Sequence, residues 1–239
     1  MQFSAATISA ILAFTSFASA APSKRGGYPP ELSLTAQLQL ADTAADRFSL
    51  LKDEQFLFDF NQKQQNPGKG GQLIAANRKT FPALVGTGAG MALGRVDACG
   101  MNTLHVHPRS AELQIVTKGR LIAEMVPENG VLNADGSRRV IRTEIKENMM
   151  TPFYQGSVHT QFNPDCEPAT FVAAFAAEDF GTGQIADETF ALSDDVIAAT
   201  FGQSIAGEDI EKVRAAIPKS IALGVDECLK KCGITKRSN

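Results

Sequence analysis

The sequence predicts an all-β core, a sandwich or barrel, with a helical segment before it and a helical tail after it. Three observations carry this. From Leu73 to Phe175, short segments rich in β-branched and aromatic side chains alternate with turn residues, a pattern that argues against a βαβ fold. Apolar residues at helical spacing fall outside that stretch, at 34–51 and beyond Ser193. The chain has 239 residues, 44% hydrophobic and 21% charged, with no internal repeat. That suits one sizeable core burying roughly 70–75% of the unfolded surface, and not a disordered chain. A formal net charge of −3 argues against nucleic-acid binding, which needs a basic face.

Residues 1–20 carry no charged side chain. Ile8–Phe17 is apolar and Ala18-Ser19-Ala20 is a small-residue cleavage pattern, so a secretory signal peptide cut after Ala20 is expected. The apolar run is too short to cross about 30 Å of hydrocarbon, and no later stretch reaches that length. Residues 21–32 read as a flexible lead, with a dibasic processing site at Lys24-Arg25. Export would turn the four cysteines, Cys99, Cys166, Cys228 and Cys232, into two disulfides with three pairings open. Cys228 and Cys232 stand one helical turn apart, which makes a local bridge plausible without guaranteeing disulfide geometry; Cys99–Cys166 would then be the long-range one. No Asn-x-Ser/Thr sequon occurs.

Leu34, Leu38, Ala41, Ala44, Phe48 and Leu51 predict one helix. Residues 62–71 are polar and Gly-rich, hence a loop. Strands are expected at Leu73–Ala76, Leu84–Val85, Met91–Val96, Thr103–His107, Leu113–Thr117 and Leu121–Val126. More follow at Val140–Ile145, Met149–Phe153, Val158–Phe162 and Thr170–Phe175. Asn129-Gly130 and Asp135-Gly136 are turn dipeptides, since Gly readily takes φ > 0. Gly86–Gly90 precedes a strand and lacks the spacing of a phosphate loop, so it reads as a turn. In the tail, Ser193 is placed to cap a helix with Asp194 and Asp195 in its first turn and Gly202 at its end. Glu208–Ile217 makes a second helix, and a third carries Cys228 and Cys232.

The three histidines hold the chemistry. His105 and His107, two apart in a strand, project from one face. Glu112 begins the next strand after a turn through Pro108, and His159 lies in a later one. Three imidazoles and one carboxylate suit a divalent first-row metal: manganese, iron, zinc, copper or nickel.

The segment from Gly100 to Gly119, with His105-Val-His107-Pro-Arg-Ser-Ala-Glu112 and Lys118-Gly119, resembles the first motif of the cupin superfamily. Its wording is similar to that of germins, germin-like proteins and spherulins. Gly156-Ser-Val-His159-Thr-Gln-Phe-Asn163 resembles the second motif, and Arg95-Val96-Asp97 a germin segment before the first. The resemblance spans roughly residues 35–220. It implies a single cupin β-barrel of jelly-roll type at 33–220, with 221–239 as a tail holding the Cys228/Cys232 pair. It implies Mn(2+) on His105, His107, Glu112 and His159, secretion to the extracellular space or cell wall, and a homo-hexamer built as a trimer of dimers. The chain departs from the pattern at Tyr154-Gln155-Gly156, where Pro152 is displaced by two. It departs again at Asn148, which replaces a Gly, and in extra loop around 132–139.

The resemblance also bears on substrate. Two asparagines accompany oxalate oxidation in germins. Asn102 matches one, and Gly94 stands at the other. Gln161, two past His159, faces the same interior and could orient a bound small acid. Three readings follow: a redox enzyme acting on superoxide or a small carboxylate, a non-catalytic wall, spore or stress protein, or a small-ligand binding module. Leu113, Ile115 and the tail residues Val196, Ile197, Phe201, Ile210, Val213 and Ile217 are expected at oligomer contacts.

Overall fold

The computed structural model describes residues 32–65, 67–218 and 221–235. The expected signal peptide, the dibasic pair and the lead through residue 31 lie outside the described residues. Two helices open the unit that starts at Ser33, α1 (Leu34–Leu40) and α2 (Ala44–Leu50). The single helix expected over 34–51 is thus broken. Thr43 starts a new one: its hydroxyl accepts from the Asp46 N–H, and its own N–H donates to the Asp46 carboxylate. Such reciprocal capping outweighs continued helical pattern.

The strands are β1 (Gly71–Ala76), β2 (Gly90–Val96), β3 (Gly100–Val106), β4 (Glu112–Lys118), β5 (Arg120–Val126) and β6 (Ile141–Lys146). After them come β7 (Met150–Phe153), β8 (Val158–Phe162), β9 (Ala169–Phe175) and β10 (Gly183–Gln184). The tail holds α3 (Ile185–Phe190), α4 (Asp194–Thr200), α5 (Glu208–Ala216), β11 (Ile221–Leu223) and α6 (Asp226–Lys231). Leu84–Val85, expected as a strand, instead closes a 3-10 turn at Pro82–Leu84, whose proline offers no ladder donor. β10, α3 and β11 were not anticipated: two or three residues of strand carry no legible alternation. Ser193 does sit before α4, but its side chain makes no capping hydrogen bond.

One sheet has the order β1-β2-β9-β4-β7, the other β10-β3-β8-β5-β6, with β11 also on β3. Pairing is antiparallel throughout, and β2 beside β9 and β3 beside β8 are long-range neighbours. This two-sheet antiparallel arrangement is the jelly roll that the resemblance implies. No strand pairs from one sheet to the other among the described residues, so the expected barrel is realised as two packed sheets, not a closed one. Closure would need a continuous ladder around the core. The alternation is clear in β9, where Ala169, Phe171, Ala173 and Phe175 are buried. They meet Leu121, Ala123, Met125 and Ile145 of the other sheet in one core. Gly130, Gly136 and Asn148 have φ of 88°, 81° and 64°, as the turn assignments require.

The disulfides correct the expected pairing. Cys99 joins Cys228 and Cys166 joins Cys232, with Cα–Cα distances of 5.5 and 5.4 Å. α6 does bring the Cys228 and Cys232 sulfurs within 3.9 Å, but each bonds across the chain instead. The tail stripe also divides. Ile197 and Ile210 are buried with Phe190, and Ile217 packs against them, while Val196, Phe201 and Val213 remain exposed. Among the described residues no helix is long and apolar enough to cross a membrane.

Candidate metal centre

β3 and β8 lie side by side, with His105 opposite His159 and Asn102 opposite Gln161. A register shift between Asn102 and His105 turns Thr103 and Leu104 away in succession. Asn102 and His105, three apart, therefore both face inward, which regular alternation forbids. His107 follows two residues later on the same face, as its spacing predicts. The chain then crosses through Pro108 to the other sheet, where Glu112 opens β4 between Phe153 and Phe175. The four side chains come from both sheets and meet between them, each 5% exposed or less.

Backbone carbonyls hold the rings. His105 Nδ1 bonds the Thr103 oxygen at 2.7 Å, His107 Nδ1 that of Gly181 at 2.7 Å, and His159 Nδ1 that of Ser157 at 2.9 Å. A carbonyl only accepts, so each Nδ1 carries the proton and each Nε2 keeps its lone pair. The Nε2 atoms and a Glu112 oxygen lie within 4.8 Å of one another. Glu112 Oε2 stands 2.8 Å from His107 Nε2 and 3.4 Å from His159 Nε2. Phe153 stacks on His159 at 4.2 Å, and Phe175 meets His107 edge-on at 4.8 Å.

The electrostatics favour a cation. Burial, reinforced by His159, lowers the His105 pKa to about 3. Burial pushes the Glu112 carboxyl up, but His107 and His159 together outweigh it and hold it at about 2. At neutral pH the cluster therefore carries an ionised Glu112 carboxylate and a neutral His105 imidazole. Despite the short distances to Glu112, the Nε2 atoms of His107 and His159 have no hydrogen-bond partner among the described residues. Leaving a buried polar atom unpaired costs about 1–3 kcal/mol, a cost that an ion bound there would remove. Three imidazole nitrogens and one oxygen are a mixed donor set for a first-row divalent metal.

Beside the cluster is a cavity of about 50 Å³. Asn102, Gln161 and Gln184 supply its amides, and Phe171, Phe175, Phe180 and Ile221 part of its apolar wall. Asn102 Nδ2 stands 3.5 Å from His105 Nε2. Gln161 Nε2 donates to Gln114 Oε1 at 2.8 Å, leaving Gln161 Oε1 and Gln114 Nε2 buried without partners among the described residues. Gly94 lies under Phe171: a Cβ there would come 2.2 Å from the ring. Gln114 was legible as an inward residue two past Glu112. The Gly181 carbonyl that orients His107, 74 residues away, had no signal in the sequence.

The cupin family matches residues 59–209. Spherulin-1B of Physarum polycephalum is 37% identical over 216 residues, covering 88% of this chain and 84% of the relative. Germin-like protein 12-2 of Oryza sativa subsp. japonica is 33% identical over 119 residues, or 47% of this chain and 51% of the relative. A solved recombinant oxalate oxidase in complex with glycolate shares the fold, with a TM-score of 0.61. Its identity is 18%, over 70% of this chain and 83% of that one. The chain belongs to the cupin family, with spherulins and germin-like proteins as its relatives.

Proposed function

We propose that this chain is a secreted manganese-binding protein, with His105, His107, Glu112 and His159 as the ligands and a redox reaction on superoxide or a small carboxylate as its activity. One observation carries the reading: three buried imidazoles and one buried carboxylate bring ligand atoms within 4.8 Å of one another, and the Nε2 atoms of His107 and His159 have no hydrogen-bond partner among the described residues. The same donors accept iron, zinc, copper or nickel. A bound redox-active ion supplies an electron acceptor and a Lewis acid. The protein's own part is to hold the rings through their Nδ1 atoms, to exclude water with Phe153 and Phe175, and to offer the Asn102 amide N–H to a small anion, while the unpartnered Gln161 oxygen suits a hydroxyl or protonated group.

Two disulfides between distant parts of the chain suit an oxidising compartment, which supports export along with the character of residues 1–20. The domain at 33–220 is proposed on the same terms. A second reading, a metal protein without turnover, is favoured by Phe171 closing the wall over Gly94. Metal analysis of purified secreted protein tests the site. About one ion per chain is expected, and His107→Ala should lose it; full metal content in that variant would overturn the ligand assignment. Accelerated superoxide loss with the metal-loaded protein supports the enzyme. Its absence, with no carboxylate turnover, leaves the second reading.

A further inference from the structure

The three histidine rings are held in two different ways. His105 bonds the carbonyl of Thr103 and His159 that of Ser157, each two residues back along the same strand region. His107 alone bonds a carbonyl from a distant segment, that of Gly181. Its other ring nitrogen lies 2.8 Å from Glu112 Oε2, so two oxygens compete for one ring proton. A proton on Nδ1 leaves the Nε2 lone pair for an ion; a proton on Nε2 removes it.

The segment that carries Gly181 is gripped by the residue two past His107. Arg109 Nε donates to the Asp179 carbonyl at 2.8 Å, and Nη2 to the Asp179 carboxylate at 2.9 Å. Arg78 Nη2 holds the other Asp179 oxygen at 3.0 Å. The Arg109 backbone N–H donates to the Phe180 carbonyl at 3.3 Å. Gly181 has no side chain to fix it, and β10 takes up pairing only at Gly183. A Cβ on Gly181, whose φ is 67°, would lie 2.6 Å from Arg109 Nη2 and 3.1 Å from Nη1. The guanidinium thus occupies the place of the missing side chain.

We infer that Arg109 and Asp179 form a clasp that seats the Gly181 carbonyl on His107, and that both are positioning residues of the metal centre. Their side chains are 54% and 42% exposed. An exposed ion pair adds little to stability, so the effect of the clasp falls on the ring it orients and not on the fold. With the clasp released, the carbonyl draws back from Nδ1 and the ring proton moves to Nε2, beside Glu112. The consequence for metal rests on His107 being a ligand, as proposed above; the consequence for the ring proton concerns the metal-free protein and stands apart from it.

Secreted protein is isotopically labelled in its histidine nitrogens, freed of metal, and observed by NMR at a pH where imidazole is neutral. The chain has three histidines, and His107→Gln identifies the His107 signals by their loss. In wild type all three rings should carry the proton on Nδ1. In Arg109→Ala the His107 ring should shift toward the Nε2–H tautomer, while His105 and His159 keep their local carbonyls and stay unchanged. With manganese added, retention against a chelator should be about tenfold weaker than in wild type. An unchanged His107 ring in Arg109→Ala would overturn the clasp, and so would a wild-type His107 already carrying its proton on Nε2. An equal shift in all three rings marks general loosening and would overturn it too. Should Arg109→Ala fail to fold, Arg109→Met, which keeps the stem and loses every side-chain donor, is read by the same criteria. A shifted ring with wild-type manganese retention would reject the positioning role toward the ion. Wild-type protein that binds no manganese would instead reject the ligand reading, and the ring result would still decide the clasp.

Discussion

Gly94 shows how one residue narrows the chemistry. Phe171 fills the space where a side chain at Gly94 would enter the cavity, so Asn102 has no second amide facing it from that position. One lost hydrogen bond to a charged oxygen is worth about 1.5–3 kcal/mol. Hydrogen peroxide release from oxalate by metal-loaded protein is therefore expected to be weak or absent; robust release would contradict it. Asp165 offers a test of a different kind. Its carboxylate accepts from Arg120 Nε at 2.7 Å and Nη2 at 2.9 Å, and from Lys231 Nζ at 3.2 Å. Arg120 foremost, against the opposing effect of burial, holds its pKa below the usual range. A carboxyl more acidic in the folded state stabilises above its unfolded pKa and loses that contribution as pH falls through its folded one. Asp165→Asn should cost about 0.5–1 kcal/mol at pH 7, as partly exposed pairs do. In urea melts the gap from wild type should close as pH drops below about 4; a gap that persists there would reject the ion pair as its source.

Elements differ in what specifies them. β4 and β9 declare themselves through alternation, because one face of each meets the core. β11 declares nothing, because it is held by its surroundings. Gly68 and Gly70 press against its backbone: a Cβ on Gly70 would lie 1.9 Å from the Ala222 oxygen, and one on Gly68 2.0 Å from that of Ile221. Backbone cannot yield as a flexible side chain can. Gly70→Ala should therefore destabilise by about 1–3 kcal/mol, the usual range for overpacking, and speed amide exchange in Ile221–Leu223. Wild-type stability and exchange in this variant would show that β11 is not clamped. The break between α1 and α2 has a local cause, the Thr43–Asp46 cap. It was readable in principle, but apolar spacing across 34–51 masked it.

For the whole molecule, exposed apolar surface bears on assembly. On the outer face of the sheet containing β4, Met91 and Leu113 both pair with Ala174, and Met150 pairs with Ile115. Met91, Leu113 and Met150 are 42%, 46% and 60% exposed. An apolar row of this kind suits burial against another copy. The tail contributes less than its sequence promised, since Ile197 and Ile210 cover each other. Val196, Phe201 and Val213 remain available. We expect a homo-oligomer, a hexamer by the family resemblance, and Leu113→Asp should shift it to smaller species in light scattering. A wild-type monomer at micromolar concentration would reject the assembly. A stable dimer would keep the sheet contact and reject only the tail's part.

The sequence by itself determined the all-β core, the inward pair His105 and His107, and the grouping of Glu112 and His159 with them. Periodicity is local, and the resemblance at both motifs supplied the rest of the ligand set. Only the tertiary structure decided the inward turn of Asn102, the carbonyl of Gly181 behind His107, the filling of Gly94's space by Phe171, and the pairing of the cysteines. Each depends on which distant backbone arrives alongside: a bulge against β8, a loop 74 residues away, or partners 129 and 66 residues apart. Spacing along the chain records which face a residue takes, but not what faces it.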